Sequence, residues 1–139
     1  MANIDGPRAE KIVIEPDATE QFRIAPGYRV GNLVIISGQA SINENGEVVG
    51  AGDFDAQAEQ VFKNIRRTLE AAGSSMEKII KVNIYLTDMG HFPKIVALRG
   101  KYFTQPWPAD TIIGVTALAL PELMIEIEAT ALVDGEVVG

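Results

Sequence analysis

The chain has 139 residues, 47% of them hydrophobic and 22% charged, which suits one domain over residues 1–139 and excludes collagen-like, low-complexity and mostly disordered readings. Lys and Arg number 12 against 19 Asp and Glu, a net charge of −7, so phosphate backbones are repelled, and neither nucleic acid nor an anionic membrane is an expected partner. Cysteine is absent, which removes disulfides, thiolate metal sites and cysteine nucleophiles and suits a reducing compartment, with the cytoplasm as the expected location.

Charges at Asp5, Arg8, Glu10, Lys11, Glu15, Asp17 and Glu20 leave no apolar stretch of the kind an export signal needs. The longest uncharged run, Val30 to Asn43, falls short of the roughly 18 residues that suggest a membrane helix. Its first half, Val30 to Ile36, is apolar and largely β-branched, which predicts one buried strand stopping at Ser37-Gly38. Asn45-Gly46 predicts a type I′ hairpin between Gln39–Ile42 and Glu47–Val49. From Asp53 the period changes. Phe54, Ala58, Val61, Phe62, Ile65, Leu69 and Ala72 form the stripe of an amphipathic helix, with Asp53 as N-cap and Gly73 just past its end.

Residues Ile79 to Leu86 alternate, placing Ile80, Val82, Ile84 and Leu86 on one face of a half-buried strand. A second helix is expected within Asp88 to Phe103, with Pro93 in its first turn and Phe92, Ile95, Val96, Tyr102 and Phe103 as its stripe. Arg99 falls on that stripe. It must therefore be paired, either with its head reaching a surface carboxylate or with a cleft acid such as Asp110 or Glu126 of its own or a neighbouring chain. Beyond the Pro106-Trp107-Pro108 breaker, Thr111–Ala117 and Leu123–Val133 alternate as strands. The expected architecture is α+β, a mixed sheet with two helices on one face. The opposite face leaves Ile112, Met124 and Leu132 wet, and oligomerisation through that face is the simplest remedy.

Few residues suit covalent or metal chemistry. His91 is the single histidine and has no cysteine or second histidine with which to share a metal. Ser37 lacks a recognisable His/Asp pair, and the glycines fit neither a dinucleotide nor a P-loop pattern. The most informative pair is Glu126 and Glu128 inside Leu123-Met124-Ile125-Glu126-Ile127-Glu128-Ala129-Thr130. Either these carboxylates form a solvated strand face, or an oligomer partner covers them. Covering would raise a carboxyl pKa and fit it for proton transfer near neutral pH.

The segments Ser37-Gly38-Gln39, Leu69 to Ser75 (LEAAGSS), Ile80-Lys81-Val82, Tyr85 to Met89 (YLTDM), Lys101-Tyr102-Phe103, Pro108-Ala109 and Ile125 to Ala129 (IEIEA) resemble, in order and spacing, the Rid (YjgF-like) family of reactive-intermediate enamine/imine deaminases. The resemblance runs from about Val30 to Leu132. It implies a homotrimer of chorismate-mutase-like subunits, three clefts between neighbouring subunits, a small-molecule ligand, and no metal or organic cofactor. It also implies that Glu126 and Ser37 match cleft positions, which makes them the expected catalytic residues; Asp110, Ile112, Arg99, Tyr28 and Gly90 are the expected substrate-binding residues of this chain.

The chain departs from that pattern at three places. In the deaminating members an arginine that grips the substrate carboxylate follows Pro-Ala; here Pro108-Ala109 is followed by Asp110. A bare Asp110 would replace a favourable pair by a like-charge contact costing about 4 kcal/mol at about 4 Å and an effective dielectric of about 20. Gly90 stands where many members have asparagine, and Phe22–Tyr28 replaces a Gly-Pro-Tyr element. The expected function is a cofactor-independent deaminase acting on something other than a standard 2-iminoacid. The alternative is a non-catalytic trimer that binds a metabolite or a partner protein. Ribonuclease activity is opposed by the net charge and the lack of a histidine pair.

Overall fold

The 3.6-residue stripe beginning at Phe54 becomes α1 (Phe54–Ala71), capped where Asp53 accepts a hydrogen bond from the Ala56 N–H at 3.1 Å and ended by Gly73 at φ +80. Seven strands form one sheet: β1 (Ala9–Lys11), β2 (Gly27–Val30), β3 (Leu33–Ile36), β4 (Gln39–Ala40), β5 (Ile79–Leu86), β6 (Ala109–Gly114) and β7 (Ile125–Leu132). The computed structural model describes Gly6 and residues 8–139, so Asp5, one of the charges opposing a leader, lies outside the described residues. Sheet order is β1-β2-β3-β7-β5-β6, with β4 also on β7. The last strand is thus inserted between β3 and β5. Among the described strands only β5 and β6 run parallel, joined by α2 (Phe92–Tyr102) in the crossover that parallel pairing requires.

Both helices lie on one face of this α+β sheet, as expected. Val34 and Ile36 of β3, Val82, Ile84 and Leu86 of β5, and Ile125, Ile127, Ala129 and Ala131 of β7 point into that layer. Against them pack Ala58, Val61, Ile65 and Leu69 of α1, all fully buried. Phe62 stacks on Tyr102 at 4.1 Å between ring centres, which ties α2 to α1.

Several local expectations change. Val30–Ile36 is not one strand, because Gly31 at φ +59 turns the chain between Val30 and Leu33 in the glycine-first arrangement of a two-residue hairpin. The Asn45-Gly46 turn has only Gly46 at positive φ, +79, so it is not type I′. Asn43 Oδ1 instead accepts from the N–H groups of Asn45 and Glu47, each at 3.0 Å. Pairing there shrinks to an Ile42–Val48 bridge, while Gln39–Ala40 pairs with β7. A bulge between Ile79 and Lys81 sends Ile79 rather than Ile80 into the core. On α2, Phe92 and Val96 are exposed and Ile95 is the buried anchor.

Strand β6 begins at Ala109, not Thr111. Its register with β5, Val82 to Asp110 and Ile84 to Ile112, puts both Asp110 and Ile112 on the helix-covered face. Ile112 and Met124 therefore pack against the core rather than on the bare face. That face does carry exposed apolar residues, but they are Tyr28, Val30, Leu33, Ile35 and Ile113, with the half-buried Leu132 opposite Leu33.

Candidate functional site

Strand β7 carries Glu126 and Glu128 on the helix-free face, as alternation demands, opposite Tyr85 and Asn83 of β5. Their environments differ. Glu128 Oε1 accepts from the Tyr85 hydroxyl and from Asn83 Nδ2, each at 2.7 Å. That hydrogen bond is the main reason the Tyr85 hydroxyl is pushed above its ordinary pKa. Glu126 makes no hydrogen bond or ion pair among the described residues. Burial, and after it the neighbouring charge of Glu128, raises its pKa above the ordinary carboxylate value.

The chain leaves β7 after Ile35 and rejoins it at Gln39, so Ser37-Gly38 form a step beside Glu126. A Cβ on Gly38 would lie 2.9 Å from Glu126 Cδ. Glycine is what lets the carboxyl group lie against the main chain there. The Ser37 hydroxyl donates to the Ala25 carbonyl at 2.5 Å, and the Ser37 N–H donates to Pro26 O at 2.9 Å. Its proton is committed to holding the 25–26 loop against the step.

That loop, the step, α1 and the approach to β7 border a partly open cavity of about 330 Å³ with Glu126 on its wall. Phe22, Ile24, Pro26, Ile42, Leu120 and Leu123 supply its apolar lining. The volume is at the low end of small-molecule sites. Sequence reasoning missed the contribution of α1. Asn64 donates to Ala40 O at 3.0 Å and to Ile42 O at 2.8 Å, tying down the irregular chain after β4. Arg67, one helical turn on, donates to Pro16 O at 2.7 Å and lies 3.5 Å from Glu44. The available signal was two polar residues flanking the stripe of Val61, Ile65 and Leu69.

A second group of expected site residues gathers at the β6 edge, on the opposite face of the sheet. Arg99 of α2 donates from Nε to Asp110 Oδ2 at 2.8 Å and from Nη2 to Oδ1 at 3.0 Å. The acid that Arg99 reaches is therefore Asp110 of its own chain, not Glu126. With 28% and 16% of the two side chains exposed, the pair is largely shielded. Asp110 is thus not the bare anion whose repulsion of a carboxylate the sequence suggested, because an adjacent guanidinium offsets its charge. Ile112 lies two residues along on the same face. Gly90 sits in a 3-10 turn, Met89–His91, where its N–H donates to Asp88 Oδ1 at 2.8 Å. Tyr28 lies apart from both groups, exposed on β2 opposite Ile35. The His91 ring stacks on Phe54 at 4.1 Å, far in sequence and in role from either carboxylate group. Among the described residues no helix is long and apolar enough to cross a membrane.

Comparisons with known proteins agree with this fold. A family model described as Endoribonuclease L-PSP matches residues 13–133. Protein HMF1 of Saccharomyces cerevisiae is 40% identical over 103 residues, 74% of this chain and 78% of that protein. The 2-iminobutanoate/2-iminopropanoate deaminase of Dermatophagoides farinae is 32% identical over 106 residues, covering 76% of this chain and 82% of the other. The crystal structure of RidA from the Antarctic bacterium Psychrobacter sp. PAMC 21119 superposes with a TM-score of 0.73 at 35% identity, over 78% of this chain and 87% of that one. With nearly the whole folded region matched by the family model and by proteins of the same architecture, the chain belongs to the Rid family, the YjgF-like family of the Endoribonuclease L-PSP model.

Proposed function

We propose that the protein is a cofactor-independent hydrolase that deaminates a small reactive enamine or imine in clefts between the subunits of a cytoplasmic homotrimer. The observation that carries this reading is Glu126, an unpartnered carboxyl with a raised pKa on the wall of an apolar cavity of about 330 Å³. Similarity to a protein named 2-iminobutanoate/2-iminopropanoate deaminase supports the reaction class. A shielded carboxyl with a raised pKa is suited to proton transfer near neutral pH. Glu126 takes a proton from the water that attacks the imine carbon, and the resulting carbinolamine receives that proton on nitrogen. Collapse breaks the C–N bond, giving a carbonyl compound and ammonia. Ser37 acts as a positioning residue, because its hydroxyl fixes the loop that bounds the cavity.

Within one chain the Glu126 and Asp110 side chains point to opposite faces of the sheet, with β5 between their strands. A cleft that uses both must join two copies. The exposed apolar residues of the bare face supply a reason for copies to associate. A ribonuclease reading lacks comparable support: the single histidine is stacked on Phe54 and the net charge is −7.

The test is ammonia release from freshly generated imines, alongside sedimentation equilibrium. A trimer that accelerates release is expected, with 2-iminobutanoate and 2-iminopropanoate as poor substrates. A monomer at micromolar concentration would remove the shared cleft. A trimer inert toward every imine would leave a metabolite-binding module.

A further inference from the structure

The walls of the cavity carry three carboxylates, those of Asp17, Glu44 and Glu126, against a single cation, Arg67. Two of the four are already engaged with each other, since Arg67 Nε lies 3.5 Å from Glu44 and Arg67 Nη2 donates to Pro16 O. Asp17 Oδ1 accepts from the Thr19 N–H at 2.9 Å and from the Thr19 hydroxyl at 2.5 Å, which holds that carboxylate within its own turn. Of the four, Glu126 alone has no partner among the described residues. The one guanidinium among the cavity walls is tethered to Pro16 O and has its charge offset by Glu44, whereas one carboxyl is free to receive a cation. The Arg99–Asp110 edge does not alter this balance if a neighbouring copy brings it close, because the pair carries one charge of each sign.

Much of the remaining wall is apolar, supplied by Phe22, Ile24, Pro26, Ile42, Leu120 and Leu123, beside neutral polar side chains such as Gln39 and Asn64. A cavity of about 150 Å³ lined by apolar side chains accepts benzene. The 330 Å³ present here leaves room for a ring of that size and a short arm ending at Glu126. From this juxtaposition we infer that the cavity takes a small apolar organic cation, a protonated imine or amine without a carboxylate. The inference rests on the deaminase reading only for the reaction performed. In that reaction R–CH=NH2⁺ and water give R–CHO and NH4⁺, with the C=N bond broken and the carbonyl oxygen supplied by water.

Probes that share a phenylethyl body and carry heads of opposite charge test it. Calorimetric titration of the full chain with 2-phenylethylammonium and 3-phenylpropanoate should show the ammonium at least about tenfold tighter, the scale of one charge-assisted hydrogen bond. Glu126→Gln, which keeps the side-chain volume, should erase that preference while the circular dichroism spectrum is unchanged. Equal or tighter binding of the carboxylate, or an ammonium affinity indifferent to Glu126→Gln, would overturn the inference. The activity arm compares the imine that an amine oxidase forms from 2-phenylethylamine with the 2-imino-3-phenylpropanoate that an amino-acid oxidase forms from phenylalanine. Faster ammonia release from the first supports the inference, and faster release from the second overturns it. Selective ammonium binding without acceleration of either would defeat the deaminase reading and leave the cavity assignment standing.

Discussion

Glu126 and Asp110 are both shielded carboxylates on neighbouring parts of one sheet, yet they are held in opposite ways. Asp110 faces α2, and both of its oxygens are taken by Arg99 at 2.8 and 3.0 Å. Glu126 faces away from the helices, makes no pairing among the described residues and holds its proton more tightly than an ordinary glutamate. The first arrangement closes a strand edge. The second leaves a carboxyl unpaired, as the proposed proton transfer requires. The two carboxylates thus differ in their partners: Asp110 is paired with Arg99, whereas burial without a partner raises the Glu126 pKa.

The largest expected effect comes from removing the unpaired acid. Glu126→Gln should lower the rate of ammonia release by about 10²- to 10⁴-fold, the usual contribution of one acid/base group, and Asp110→Asn should lower it much less. Single-turnover measurements on both variants check this, and a reversed order would assign proton transfer to the β6 edge.

A smaller effect, on stability rather than rate, probes the paired acid. Arg99→Met keeps most of the apolar stem and leaves Asp110 shielded without its partner, which should cost about 1 to 3 kcal/mol. Adding Asp110→Leu removes the orphaned charge and should recover most of that loss. Urea unfolding at a fixed protein concentration measures both. A double variant no better than Arg99→Met would mean that the guanidinium works through packing alone.

The smallest effect is the pH dependence contributed by Glu126. Its pKa is raised in the folded chain, so between the ordinary glutamate range and that raised value the folded state binds more protons than the unfolded state. Stability due to this group is then full at low pH and falls as pH rises. Glu126→Gln should therefore match the parent chain in acid and gain on it toward neutral pH. Urea midpoints across that range read the difference, and an advantage that grew toward acid instead would show the carboxylate to be stabilised by its surroundings.

The elements legible in the sequence were those encoded by short-range periodicity. The α1 stripe, its Asp53 cap and Gly73 end, the alternation of β5 and β7, and the common face of Glu126 and Glu128 all depend on residues a few positions apart. Turn geometry was less legible. Gly31 turns the chain inside a run of strand-forming residues, and Asn43 rather than Asn45 organises the next turn through its side chain. The Rid family pattern located Glu126, Ser37 and Asp110 but not how each is held.

Chain patterning by itself determined that this is one α+β layer with helices on one side and a carboxylate pair on the other. Only the tertiary structure decided which carboxylate is free. The position of β6 against β5 turns Asp110 toward Arg99. Insertion of β7 between β3 and β5 brings Glu126 beside Gly38, 88 positions earlier in the chain (126 less 38). Strand register and strand order arise from contacts between distant segments, and a one-residue change of register reverses the face on which a side chain lies. Local pattern carries no record of those contacts, so the partners of each charge emerge only when the sheet is assembled.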